Sequence, residues 1–288
     1  LNLTGDLTVN GAVDVRPCGY PQERGPGYIN INIGSCYGGR GYLAPANKTY
    51  GSLLNPTHLG SGCYYEPGGG AVRLDVTGNV VLNGTIRANA YPIDGFNPSG
   101  GTIWLRAATL SGSGAMDASG GRLSPSFSER GGGGGRIALR LTNSVAYGGV
   151  TLTAHGGAGG AGDPAGDAGA GTIYIETTAD SPGQGTVTID NSGIGTNGYM
   201  TELPAGSTTF PGGDDLSGVR LSISNTGQAI LTTNLWIGNL WVGANSALWL
   251  NGYTCRVASL EHSLAGTVVS NGGAIVWVGS RGSLYVVH

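Results

Sequence analysis

Asp214-Asp215 is the only adjacent acid pair in the 288 residues. Two carboxylates flanking a glycosidic bond are what general acid/base hydrolysis requires. Gly159 to Asp167 strings glycines together with Asp163 and Asp167, and carboxylates mixed with loop carbonyls are the hard oxygen ligands that calcium takes. Asp163, Asp167, Asp214 and Asp215 are therefore the candidate metal ligands, and Ca2+ is the one cofactor they suggest. The competing reading is a glycine loop with solvated acids. Serine catalysis finds no Gly-x-Ser-x-Gly elbow, and the glycine runs 131–135 and 156–162 lack the lysine and helix start of a phosphate loop. No complete catalytic constellation emerges.

Cysteine and tyrosine point to one stretch. Residues 16–67 hold Cys18, Cys36 and Cys63 of the four cysteines, with Cys255 far downstream, and none are paired as Cys-x-x-Cys. That spacing excludes a zinc site and leaves Cys18, Cys36, Cys63 and Cys255 as disulfide candidates in an oxidising compartment, with buried free thiols as the alternative. The same stretch carries Tyr20, Tyr28, Tyr37, Tyr42, Tyr50, Tyr64 and Tyr65, seven of the 13 tyrosines. Tyrosine offers an apolar plate with a polar tip, suited to stacking on sugars and to partner interfaces. These seven are the candidate contact residues; the alternative is a stapled cap whose tyrosines pack inward. Asn2, Asn47 and Asn83 head Asn-x-Ser/Thr sequons and are glycosylation candidates.

The scaffold that must position these groups is read from composition first. Glycine accounts for 57 of 288 residues, against a usual share of about 7%. Charged residues make up 11%, there are 13 arginines beside the single Lys48, and the net charge is −3. This balance excludes a basic nucleic-acid binder, and no apolar run reaches the ~18 residues of a membrane-spanning helix. With no charged-then-apolar leader at residue 1, an exported chain is expected to have lost its signal already.

Four segments repeat: Gly69-Gly70-Ala71-Val72-Arg73-Leu74, Gly100-Gly101-Thr102-Ile103-Trp104-Leu105, Gly134-Gly135-Arg136-Ile137-Ala138-Leu139, and Ala170-Gly171-Thr172-Ile173-Tyr174-Ile175. Their second glycines are 31, 34 and 36 residues apart. Aliphatics two apart predict a strand in each. A second strand is predicted at Val80–Ala88, Leu110–Ala118, Val150–Ala154 and Thr186–Ile189, and long glycine loops at 89–100, 119–135 and 155–171 are expected to project from one face. Strand-like alternation also fills 1–15 and recurs from Val219 to Val287, where Asn251-Gly252 and Asn271-Gly272 mark turns. No stretch has a helical apolar stripe. The expectation is all-β: a right-handed parallel β-helix over 1–288, with a β-sandwich as the alternative. Within it, 16–67 is an insertion or cap, 68–215 carries the long-loop repeats, and 216–288 has short rungs.

The Gly-Gly-x-Ile-x-Leu pattern, Leu110-Ser-Gly-Ser-Gly-Ala-Met-Asp-Ala-Ser-Gly-Gly and Gly131 to Leu139 resemble the glycine-rich repeat regions of large exported bacterial surface proteins. Ala247 to Val257 and Gly266 to Gly273 are similar to the strand repeats of autotransporter passenger and filamentous adhesin domains. The resemblance implies a secreted β-helix used in adhesion, surface layers or filaments, although some β-helices are polysaccharide lyases or hydrolases. Polygalacturonase-like hydrolases follow their Asp pair with Gly-His-Gly and Arg-x-Lys; here His155 precedes the acids and no Arg-x-Lys exists. Lyases on this fold need a basic residue beside calcium-binding acids, yet Arg73, Arg106, Arg136 and Arg140 recur in repeated strands, as a structural ladder would. Ice binding would need regular Thr-x-Thr ranks, and only Thr151-x-Thr153 and Thr186-x-Thr188 fit. The expected function is an extracellular structural or adhesive surface protein that self-associates end to end, with a polysaccharide-binding or lyase β-helix as the alternative. Its expected partners are its own copies or a surface glycan, not nucleic acid.

Overall fold

The computed structural model describes residues 1–91, 97–121, 130–159, 166–195 and 198–278, and the backbone of a last strand at 284–287. The protein is all-β, with no α-helix among the described residues and nearly every strand pair parallel.

The first half takes three strands per turn of chain: β1 (Asn2–Leu3), β2 (Leu7–Val9) and β3 (Ala12–Asp14), then β4 (Ala71–Val76), β5 (Asn79–Leu82) and β6 (Thr85–Arg87), then β7 (Thr102–Ala107), β8 (Thr109–Ser111) and β9 (Ala115–Asp117). It closes with β10 (Arg136–Leu141), β11 (Thr151–Thr153) and β12 (Thr172–Glu176). Like strands pair with like: β1-β4-β7-β10-β12, β2-β5-β8 and β3-β6-β9-β11 are each parallel. The glycine-pair alignment is the observed register, with Ala71 opposite Thr102, Thr102 opposite Arg136 and Arg136 opposite Thr172. The predicted second strands Val80–Ala88 and Leu110–Ala118 are each two strands. A corner at Asn83-Gly84 splits one, and a corner at Gly112-Ser113-Gly114, where Gly112 has φ +105°, splits the other.

The predicted strand Thr186–Ile189 departs from this plan. As β13 (Thr186–Asp190) it pairs antiparallel with β12, Tyr174 opposite Val187, and so reverses the strand direction within the same sheet. From there a second set stacks: β14 (Thr201–Leu203), β15 (Arg220–Ser224), β16 (Gln228–Leu231), β17 (Leu235–Ile237), β18 (Asn239–Val242), β19 (Ala247–Trp249), β20 (Thr254–Val257), β21 (His262–Leu264), β22 (Thr267–Val269) and β23 (Ala274–Val278), with β24 (Leu284–Val287) antiparallel to β23. The nine-stranded sheet continues through β13-β15-β18-β21, flanked by β14-β16-β19-β22 and β17-β20-β23.

Both faces of the nine-stranded sheet are used. Ile103, Leu105, Ile137, Leu139 and Ile173 belong to a core closed by β2, β3 and their stacked partners. Their sequence neighbours Trp104, Ala138 and Tyr174 face the other way and join a second core with Val187, Ile189, Leu221, Ile223 and Leu240. Strands covered on both sides lose the alternation of a half-exposed strand, and β7 and β10 are buried at every position but one.

Residues 16–67 supply the first half's second cover. Leu53 and Leu54 join the second core, and the glycine-rich stretch 34–42 lies against Gly131–Gly135 and Gly169–Gly171. The amides of Gly38 and Gly39 both donate to Gly134 O, Gly134 to Gly169 O and Gly133 to Ser35 O. The described glycine segments pack as extended chains joined by backbone hydrogen bonds, while 92–96, 122–129 and 160–165 of the expected loops lie outside the described residues. A Cβ on Gly171 would sit 1.8 Å from Gly135 O, and one on Gly39 2.1 Å from Gly169 O. Close approach, not positive φ, demands glycine here.

Candidate functional site

The tyrosines divide by depth. Tyr37 and Tyr50 are fully buried, their rings 4.7 Å apart. The Tyr37 hydroxyl meets Thr102 Oγ1 at 2.6 Å, and the Tyr50 hydroxyl donates to Leu59 O at 2.7 Å. Burial pushes both phenols upward. Arg136, fully buried in β10, donates through Nε and Nη2 to Tyr50 O, through Nη1 to Thr172 Oγ1, and lies 5.4 Å from the Tyr37 ring centre. Tyr37 and Tyr50 thus lock the insertion to the sheet and present no surface to a ligand. Tyr20, Tyr28 and Tyr42 are half-buried; Tyr28 donates to Glu23, and Tyr42 packs edge-on to Tyr199 at 5.3 Å. Only Tyr64 and Tyr65, an edge-to-face pair at 4.8 Å, are exposed.

The four cysteines are free thiols. Cys18 is exposed. Cys36 and Cys63 are buried, each sulfur accepting a backbone amide at 3.3 Å, from Gly41 and Glu66 respectively. Cys255 sits in the second core, in register between Leu235 and Ile275. Burial pushes the thiols of Cys36 and Cys255 up to about 12, so neither carries a thiolate at neutral pH.

The acids are mostly occupied in holding backbone. Asp214 accepts from Leu53 N at 2.7 Å, from Leu54 N at 3.4 Å and from the Ser52 hydroxyl. Asp215 points elsewhere, accepting from Ser217 N at 3.0 Å, and that hydrogen bonding lowers its carboxyl below the usual range. Asp167 is buried and accepts from Gly159 N at 2.7 Å, while Asp163 lies outside the described residues. No cluster of three or more His, Cys, Asp or Glu side chains spaced for a metal occurs among the described residues. His155 bonds to Gly156 O in the glycine bundle and is not among the residues lining the cavity at Asp214. Glu202, not singled out by any motif, is buried and accepts from Asn47 N, Thr49 N and Thr49 Oγ1 at 2.6, 3.0 and 2.8 Å. The repeated arginines do not stack as one ladder: Arg106 and Arg140 are in register and pair with Asp75 and Glu176, each at 3.6 Å, Arg73 stands opposite Trp104, 3.7 Å from its ring centre, and Arg136 lies opposite Thr102 and Thr172. Thr151-x-Thr153 and Thr186-x-Thr188 fall in different sheets and form no rank. Asn2, Asn47 and Asn83 are all exposed.

A concave surface follows a stacked corner of the second half. Gln184, Ser217-Gly218, Gly238-Asn239 and Ala258-Ser259 are the corners that precede or open β13, β15, β18 and β21. Backbone bonds stack them, Arg220 N to Gly185 O, Gly238 N to Val219 O and Ser259 N to Gly238 O, at 2.8–3.0 Å. Two cavities of about 740 and 380 Å³ meet here, sharing Gln184, Asp215, Ser217 and Gly218. The larger is walled by Trp236, which leaves β17 outward and is 51% exposed. A third cavity of about 280 Å³ lies on the other flank of Trp236, with Arg256 beside it in register. At the far end stand Leu54, Asn55 and Arg140. The corners are far apart in sequence, so no contiguous motif announced this groove; the outward Trp236 between two inward aliphatics was its one signal.

No protein-family model, curated protein or solved structure matches the chain.

Proposed function

We propose that this is an exported structural or adhesive surface protein built as a right-handed parallel β-helix, and that it works through its surface, not through turnover. Support for the coil comes from the stacking of like strands in register. Reversing strand direction at β12–β13 while moving the core to the opposite sheet face leaves the sense of coiling the same in both halves. The observation that carries the functional reading is the employment of the charged groups. Asp214, Glu202 and Arg136 are tied to backbone groups of the insertion, and Arg140 to Glu176, whereas the large apolar side chains left on the surface include five aromatics, Tyr64, Tyr65, Tyr91, Trp236 and Trp241.

Self-association is part of the proposal. The edge strands β1 and β21 of the nine-stranded sheet turn backbone donors and acceptors along the stacking axis, and another copy adds there by the same pairing. Negative-stain electron microscopy of the purified protein over a concentration series, with and without reductant, tests it. Filaments or stacked rods are expected; uniform single rods at every concentration would contradict self-association.

A further inference from the structure

We infer that the stacked-corner groove is a binding site for an uncharged polysaccharide chain, laid along the stacking axis with one sugar ring on Trp236. The inference rests on the adhesive reading above and gives it a ligand class and an address.

The lining sets the class. An exposed indole face is matched by the C–H face of a pyranose, and carbohydrate hydroxyls need donors and acceptors close by. The corners supply both: the Gln184 side-chain amide, Asn239, Ser217, Ser259 and Asp215 line the same floor. The floor carboxylate Asp215 accepts from Ser217 N, and the other charges along the lining, Asp214, Arg140 and Arg256, are of mixed sign, so the groove favours neither a polyanion nor a polycation. An apolar peptide would leave these polar corner groups unpaired.

Direction follows from the stack. The corners of β13, β15, β18 and β21 repeat at the inter-strand distance of about 4.8 Å. The rise per residue of an extended, equatorially linked pyranose chain is close to that spacing. Each sugar thereby meets an equivalent corner, and four corners offer a run of contacts that no single loop provides.

The test uses the full chain and isothermal titration with cellohexaose, xylohexaose, mannohexaose and chitohexaose as separate probes, beside tryptophan fluorescence. At least one probe should bind saturably. Trp236→Ala should weaken it by roughly tenfold or more, Trp236→Tyr should retain most of the affinity, and Trp241→Ala, on the same turn but outside the groove, should leave it unchanged. Unchanged circular dichroism establishes that Trp236→Ala is folded. Absence of binding to all four probes overturns the inference, as does binding that survives Trp236→Ala. Binding that is lost instead in Tyr64→Ala/Tyr65→Ala overturns the groove while leaving the adhesive reading in place. Shortened products in the titration mixture would overturn the non-catalytic reading itself.

Discussion

The two halves of the molecule are made from the same unit and protect it differently. In 71–176 the shared sheet has an aliphatic core on one face and, on the other, an insertion joined through glycine backbones and Arg136. In 186–278 the core lies on the opposite face, and the side that held the first core now carries Thr188, Ser222, Trp241 and Ser263 in register. In the first half the sheet is therefore covered on both faces, and in the second it displays one face as an outer wall.

Substitutions that add a single methyl separate the halves most sharply. Gly135→Ala places its Cβ 2.1 Å from Gly101 O, against backbone that cannot step aside. It should lower stability by about 3 kcal/mol or more in denaturant unfolding. Gly252→Ala, in a second-half turn with φ +83° where a Cβ meets only Asn271 O at 3.7 Å, should cost about 1 kcal/mol. Equal effects would mean the glycine segments are not packed as described.

Anchoring acids come next. Glu202→Ala strands the amides of Asn47 and Thr49 and should cost about 2–3 kcal/mol, while Asp215→Ala, on the surface, should change stability by less than about 0.5 kcal/mol. A silent Glu202→Ala would detach the insertion from the account.

Thiol labelling is gentler still. Without reductant, the native protein should react with a thiol reagent at Cys18 alone, and at all four cysteines once denatured. A denatured count below four would establish a disulfide.

The smallest effect is one of pH. Burial, with Arg136 nearby, lowers the His58 imidazole below its ordinary 6.5. The unfolded chain then takes up a proton near 6.5 that the folded protein refuses. Stability should fall as pH drops from 7 through the unfolded value, and the slope should level off only below the folded value. His58→Gln should flatten that slope; an unchanged slope assigns it elsewhere.

Much of the first half was legible in its residues, because a glycine pair before each strand marks the register and close packing fixes it. The corner within Val80–Ala88 was not, since apolar residues on both sides of Asn83-Gly84 sustain a strand-like pattern across it. The reversal at β12–β13 was hidden for a simpler reason: alternation reads the same in either strand direction. The change of face did leave a trace. Ile103-Trp104-Leu105 and Ile173-Tyr174-Ile175 are apolar at successive positions, as strands covered twice must be, whereas Leu221-Ser222-Ile223 alternates. The tyrosine-rich stretch was visible as a unit, but which of its rings face inward depends on Arg136 and Thr102, well outside it.

The central claim is that the shared sheet exchanges its buried face between halves, and hydroxyl-radical footprinting of the five tryptophans tests it most directly. Trp104 and Trp277, 4% and 3% exposed, should be protected, while Trp236 and Trp241, 51% and 45% exposed, should be oxidised rapidly. Oxidation of Trp104 at the rate of Trp241 would contradict it.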